Sequence, residues 1–225
     1  KVSKEALNYD FGESIEGLEV PWGEAQFVFA NNTDRVKKFE SIAELKKIVM
    51  DNPGKFTYPA PPDFIGSAFV RQMVYEVIGY DKFLDGISEE KAKVELKKVW
   101  DKLNNLEPYL WRDGKTYPES SGKLHQLYSS GEVSYTMDYN PSFATNKILQ
   151  GEFTKSTRTF VLDKGTLFNN HYLSIPYNSK SKAGALVAAN FLLSPIAQAK
   201  KSNPEVWGDG TIIDMKKLSS SEKEM

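Results

Sequence analysis

The chain has 225 residues, 40% hydrophobic and 12% aromatic, which suits one large or two small folded domains and excludes a disordered chain. Its 29 Lys and Arg balance 30 Asp and Glu to a formal net charge of -1, so no overall charge draws it to nucleic acid or an anionic membrane. Cysteine is absent, which excludes disulfides, thiolate zinc sites, iron–sulfur clusters and thiol catalysis.

No stretch approaches the ~20 apolar residues that span a bilayer. The chain opens at Lys1 without a signal-peptide hydrophobic region, as a cytosolic protein would, or as a mature or trimmed chain would. Residues 1–25 read as loop, because Gly12, Gly17, Pro21 and Gly23 break any period. AQFVFANN, Ala25 to Asn32, is an apolar run of strand length. In SIAELKKIVMDNPG, Ser41 and Glu44 fit a capping box, Leu45, Ile48 and Val49 form one helical face, and Asn52-Pro53-Gly54 ends it.

KFTYPAPPDF is held extended by its prolines. From Gly66 to Ile78, the residues Phe69, Val70, Met73, Val74, Val77 and Ile78 predict a buried helix closed by Gly79. Ser88 opens another helix, with Glu89 and Glu90 at its positive end and Val99, Trp100, Leu103 and Leu106 on its apolar face. Gly122 to Ser129 reads as helix and EVSYTMDYN as strand, while Asn140-Pro141 leads into a helix that ends at Gly151. TRTFVLD and LFNNHYLSIP read as strands about the Asp163-Lys164-Gly165 turn. A helix from Ala183 to Leu193 is apolar nearly all round, and Ser194-Pro195 starts the next one. Strands and helices thus alternate, which predicts an α/β fold with parallel or mixed strands flanked by helices.

Motifs for catalysis are scarce. The two histidines, His125 and His171, come with no G-x-S-x-G, H-E-x-x-H, Walker A or G-x-G-x-x-G pattern, so no cofactor, metal or catalytic residue is expected. His125, between Leu124 and Leu127, reads as a surface or boundary residue.

Four features can serve ligand binding. Gly66 and Ser67 stand at the first turn of a buried helix, where open N–H groups can hold an anionic or accepting group. The alternative there is an ordinary cap supplied by Asp63 or Ser67. Tyr139 and Asn140 fall where a strand gives way to a helix, as a stacking and hydrogen-bonding pair or as plain turn chemistry. Trp22, in a proline-and-glycine loop, is either a lid or a hydrophobic plug. Asn169, Asn170 and His171 interrupt an apolar strand, as polar contacts or as turn formers.

KGTLFNNHYLSIPYNSKSKAGALVAANFLLSPIAQAKK resembles, without a gap, a pattern near the end of bacterial extracellular solute-binding proteins of ABC importers. FTYPAPPDFIGSAFVRQ, SSGEVSYTMDYNPSFA and PEVWGDGTIIDMKKL add to the likeness, the last resembling a subgroup near the polyamine, thiamine and ferric-iron binders. The resemblance runs from Trp22 onward. It implies a class II periplasmic-binding-protein-like fold in which a solute is clamped between two α/β lobes by hinge closure, outside the cytoplasm in a periplasm or on a lipid anchor. The implied partners are a small solute and an ABC permease, and no nucleic acid.

On this resemblance, residues 1–25 lead into the first crossing, 26–157 form the second lobe, and 158–225 hold the return crossing and helices of the first lobe. An N-terminal segment usual in the family then has no counterpart here, and the apolar helix from Ala183 should pack on the first-lobe sheet. Where polyamine binders carry a Trp and an Asp, this chain has Asn169 and His171, which argues against a polyamine. No adjacent tyrosine pair is present for ferric iron. Gly66, Ser67, Tyr139, Asn140, Asn169, His171 and Trp22 are the expected ligand contacts, with an anionic or ring-containing solute favoured. An enzyme on the same scaffold is the alternative, and a structural or adhesion domain a third reading.

Overall fold

The computed structural model describes residue 2 and residues 5–10, 13–83 and 86–224; Gly12, read as a breaker, lies outside them. In chain order the strands and helices are β1 (Tyr9–Asp10), β2 (Glu13–Ser14), β3 (Glu19–Gln26), β4 (Val28–Asn32), α1 (Ile42–Asp51), α2 (Phe64–Ile78), α3 (Glu89–Leu106) and α4 (Ser121–Ser129). There follow β5 (Tyr135–Asp138), α5 (Phe143–Leu149), β6 (Thr157–Phe160), β7 (Phe168–Ser174), α6 (Lys182–Leu192), α7 (Pro195–Ser202) and the short α8 (Ser220–Lys223). Among the described residues no helix is long and apolar enough to cross a membrane.

The chain divides into two compact units. A terminal unit comprises Lys1–Gln26, Asn140–Leu149 and Phe168–Met225, and a central unit comprises Phe27–Tyr139 and Gln150–Leu167. These bounds differ from those read off the sequence. Residues 158–160 pair with β4 inside the central unit. The helix after Asn140 belongs to the terminal unit, where Asn146 Nδ2 donates to the Trp207 carbonyl at 2.9 Å.

In the central unit β4 lies between β5 and β6, antiparallel to both. Val28 to Asn31 are all buried, as expected of a middle strand covered on both faces. Phe29 anchors this core, with its ring centroid 4.8 Å from Phe39, 5.1 Å from Phe27 and 5.8 Å from Phe160. Phe27, Phe29 and Phe39 are fully buried, and each such ring stabilises the fold by about 1.5–3 kcal/mol. Helix α2 adds Phe69 and Met73, and buries Gln72 with them. That amide spans a loop: its oxygen accepts from Leu167 N at 2.9 Å and its nitrogen donates to the Gly165 carbonyl at 3.3 Å.

The helix starts follow the capping residues. Ser41, Ser88 and Ser120 accept from the third residue of α1, α3 and α4, and Glu44 closes back onto Glu40 N. On α3, Val99, Leu103 and Leu106 are buried, whereas Trp100, one residue off that face, is 43% exposed. His125 is buried rather than at the boundary, because its place between Leu124 and Leu127 turns it inward with them. Its Nε2 lies 3.2 Å from the Met137 carbonyl and 3.4 Å from Asp138 Oδ2.

In the terminal unit β3 runs antiparallel to β7 from Glu19↔Ser174 to Gln26↔Phe168. Residues read as loop therefore hold an eight-residue strand. Pro21 and Gly23 are tolerated because the register shifts there: Pro21 faces Tyr172, Gly23 faces His171, and Trp22 is the extra, unpaired residue of a bulge. Every strand pairing among the described residues is antiparallel, where alternation predicted parallel or mixed strands. The reason is that β4 pairs with strands more than a hundred residues later, not with a neighbour across one helix. Likewise β6 and β7, expected about one turn, join different sheets.

Helix α6 buries only Ala189, leaving Leu186 at 58%, Val187 at 71% and Phe191 at 60% exposure. It was expected to pack on a sheet. Instead, the apolar cluster of Val2, Ala6 and Ile212 takes up only Leu193, just past the helix.

Candidate functional site

The predicted contacts fall into two groups, one in each unit. In the central unit, Asp63 N-caps α2: its Oδ1 accepts from Ile65 N at 2.9 Å and Gly66 N at 3.0 Å, and its carbonyl accepts from Ser67 N at 2.8 Å. Its Oδ2 takes Ser121 N at 3.2 Å. The N–H groups of Gly66 and Ser67 are thus engaged within the protein, and the ordinary-cap reading is the one the geometry follows. Gly66 is glycine for a packing reason, since a Cβ there would overlap the Pro59 carbonyl.

Beside that helix start stand two rings. Phe64, 60% exposed, has its centroid 5.1 Å from half-buried Tyr139, which in turn leans on Phe27 at 6.2 Å. Burial pushes the Tyr139 hydroxyl up to about 12, despite the opposing pull of Arg71, so the phenol stays neutral at physiological pH. Phe64 was not singled out from the sequence, though its place at the first position of α2 marks it as solvent-facing.

In the terminal unit, a cavity of about 460 Å³ opens against the β3–β7 sheet, lined by Asp10, Glu19, Trp22, Asn170, His171, Tyr172 and Trp207. That size lies within the roughly 300–1,000 Å³ of small-molecule sites. Trp22 reaches it from a strand bulge rather than a loop, and meets Trp207 edge-on at 5.2 Å. Asn170 and His171 stand in mid-strand opposite Glu24 and Gly23, so they are not turn formers. His171 Nε2 lies 3.6 Å from Asp209 Oδ1. Neighbouring Asn169 does not line the cavity; its Nδ2 donates to the Asn170 carbonyl at 3.2 Å. Asn140 is occupied by turn chemistry, its Oδ1 accepting from Ser142 N at 2.8 Å.

Beside Trp22 and His171, Lys201 and Asp209 pair at 2.7 Å, and Lys201 Nζ sits 5.1 Å from the Trp22 ring centroid. Gly23 makes room for them, since a Cβ would overlap Asp209 Oδ2 and approach Lys201 Nζ to 2.9 Å. Burial raises the Glu24 carboxyl above its ordinary value, Lys201 drawing it back and Asp209 adding to the rise. Among the described residues no group of three or more His, Asp or Glu is placed to hold a metal ion.

Sequence reasoning missed Trp207, Asp10 and Glu19. Trp207 lay inside the quoted PEVWGDG motif, and an aromatic between acidic and glycine residues was its signal. The other two carry no local signal, being brought to the cavity by β1 and β3.

The profile of the bacterial extracellular solute-binding proteins matches residues 3–218, and the chain belongs to that family. Protein YnjB of Escherichia coli K12 is 36% identical over 217 residues, which is 96% of this chain and 56% of that protein. The chain thus spans little more than half the length of that relative. Among solved structures, an ABC transporter protein from Clostridium perfringens superposes with a TM-score of 0.62 at 21% identity, covering 99% of this chain and 62% of the other. The spermidine/putrescine transporter substrate-binding protein PotD of Streptococcus pneumoniae gives 0.66 at 15% identity, over 100% and 62%. These likenesses establish the two-lobed α/β periplasmic-binding-protein fold.

Proposed function

We propose that the protein captures a small solute outside the cytoplasm and delivers it to an ABC permease, binding without turnover. The anchoring, by free residence in a periplasm or by a lipid at the cell surface, belongs to the same proposal. The reading is carried by the terminal-unit cavity, in a chain whose family is one of solute binding. Two tryptophans and several polar groups converge there, the usual composition of a small-molecule site.

The start of α2 gives no support to an anionic solute, because Asp63 occupies the N–H groups of Ile65, Gly66 and Ser67. The Phe64–Tyr139 pair is a second surface on which an apolar or ring-shaped part of a solute can stack.

The test is thermal unfolding against a panel of amines, sugars, phosphate esters, amino acids and heterocycles. A bound solute raises the midpoint by mass action, equivalent to about 2.7 kcal/mol at a hundredfold excess over Kd. The reading predicts a saturable rise with one class, diminished in Trp207→Ala or Tyr139→Ala. A folded protein whose midpoint no solute moves would contradict it.

A further inference from the structure

We infer that a second cavity, in the central unit, binds a small organic dianion, drawn in by Arg35, Lys37, Lys47 and Lys55. The site is separate from the terminal-unit cavity, and solute capture does not enter into it.

Charge and shape carry it together. A cavity of about 380 Å³ is lined by those four cations against two carboxylates, Glu44 and Asp51. Lysines on a flat helix face are solvated and need no ligand. These surround a concavity within the roughly 300–1,000 Å³ of small-molecule sites. Among the described residues none of the four cations forms an ion pair, whereas their neighbour Lys38 takes Glu40 at 3.2 Å. Carboxylates close by are engaged elsewhere: Glu44 Oε2 accepts from Glu40 N at 2.8 Å, and Glu132 Oε2 from Trp111 Nε1 at 3.1 Å. Four cations less two carboxylates leave the lining two positive charges in excess, which a dianion balances.

The cations are also held in place. Arg35 N and Val36 N donate to the Asn32 carbonyl at 3.1 and 3.0 Å, and buried Asn31 Nδ2 donates to the Val36 carbonyl at 2.6 Å. The Tyr135 hydroxyl donates to the Lys37 carbonyl at 2.7 Å, so the loop that carries Arg35 and Lys37 is pinned along its length. Arg35 and Lys55 converge on one residue. Lys55 Nζ donates to the Gly131 carbonyl at 3.3 Å and the Glu132 carbonyl at 3.4 Å, and a Cβ on Gly131 would stand 3.5 Å from Arg35 Nη1. Like charges brought together repel, and an oxyanion that accepts from both relieves the repulsion. Half-buried Ile48 and buried Phe56 also meet the cavity, which suits the carbon between two charged groups.

The experiment is calorimetric titration of the wild-type chain with succinate and with glycerol 3-phosphate, with 1,4-butanediol and glycerol as uncharged controls. Saturable binding of at least one dianion is expected at about 0.15 M salt, where a Debye length of about 8 Å already screens exposed charges. Which of the two binds tells a carboxylate ligand from a phosphate one. Arg35→Gln, judged folded by its circular dichroism, should weaken binding at least about tenfold, the loss of one charge-assisted contact. Asp51→Asn should tighten it severalfold, an effect that a damaged fold cannot imitate. Trp207→Ala should leave it unchanged. Binding of neither dianion, binding that disappears at that salt, or binding that Arg35→Gln retains would overturn the inference. So would dependence on Trp207, which would put the anion in the terminal-unit cavity. In the solute melts, a rise lost in Arg35→Gln belongs to this site and one lost in Trp207→Ala to solute capture, so the two readings fail separately.

Discussion

Lys201 and Asp209 form an ion pair of 2.7 Å with side chains only 5% and 8% exposed, directly beneath the glycine next to the Trp22 bulge. A second acceptor, the Gly210 carbonyl, completes the ammonium. The strand bulge, the cavity wall and the C-terminal loop thus meet on one buried charge pair.

Removing one partner leaves the other buried and unpaired, at a cost of about 3–5 kcal/mol. Lys201→Met is expected to lower the unfolding free energy by that order in urea titration. Lys201→Met with Asp209→Asn should recover a large part of the loss. Equal loss in both variants would show that packing of the lysine stem, and not charge, is what matters.

Glu24 gives a pH dependence. Its carboxyl is raised by burial, so the folded chain binds that proton more firmly than the unfolded chain. Stability from this group is therefore lost as pH rises from about 4 through the raised value. Glu24→Gln should match wild type in acid and exceed it in melting temperature at pH 7. A variant no more stable at pH 7 than at pH 4, relative to wild type, would contradict the assignment.

Gly66→Ala tests the reason for that glycine. With the Pro59 carbonyl in the way, overpacking should cost about 1–3 kcal/mol by chemical denaturation. A neutral result would return the residue to the list of ligand-approach positions.

Asp63→Ala removes the cap on Ile65 and Gly66 and the contact with Ser121 N. A loss of about 1 kcal/mol, up to ~2, is expected. With the N–H groups freed, a phosphate ester that does not shift the wild-type midpoint could now do so. Such a gain, read in the same melts, would show that Asp63 masks an anion site.

Much of the central unit was legible because its signals are local. Ser41 with Glu44, Ser88 with its two glutamates, and the run from Phe69 to Ile78 each declare a helix within one or two turns of chain. β3 was hidden because Pro21 and Gly23 break a regular strand, yet both fit a bulge, which depends on a partner strand some 150 residues away. The site was only partly legible for the same reason. Trp22 and His171 could be suspected from type and place. Asp10, Glu19 and Trp207 acquire meaning only when β1, β3 and the loop after α7 come together. At Gly66 and Ser67 the alternative reading was legible too, since the three-residue spacing from Asp63 contains the cap that engages their N–H groups.

The most direct measurement uses the chain's own tryptophans, of which there are four: Trp22, Trp100, Trp111 and Trp207. With Trp100 and Trp111 changed to Phe, indole emission comes only from the two at the cavity. Titrating this variant with a solute that raises the unfolding midpoint should give a saturable change in emission, with a Kd equal to that from calorimetry. A solute that binds by calorimetry yet leaves both indoles unchanged would place capture elsewhere and contradict the cavity as the site.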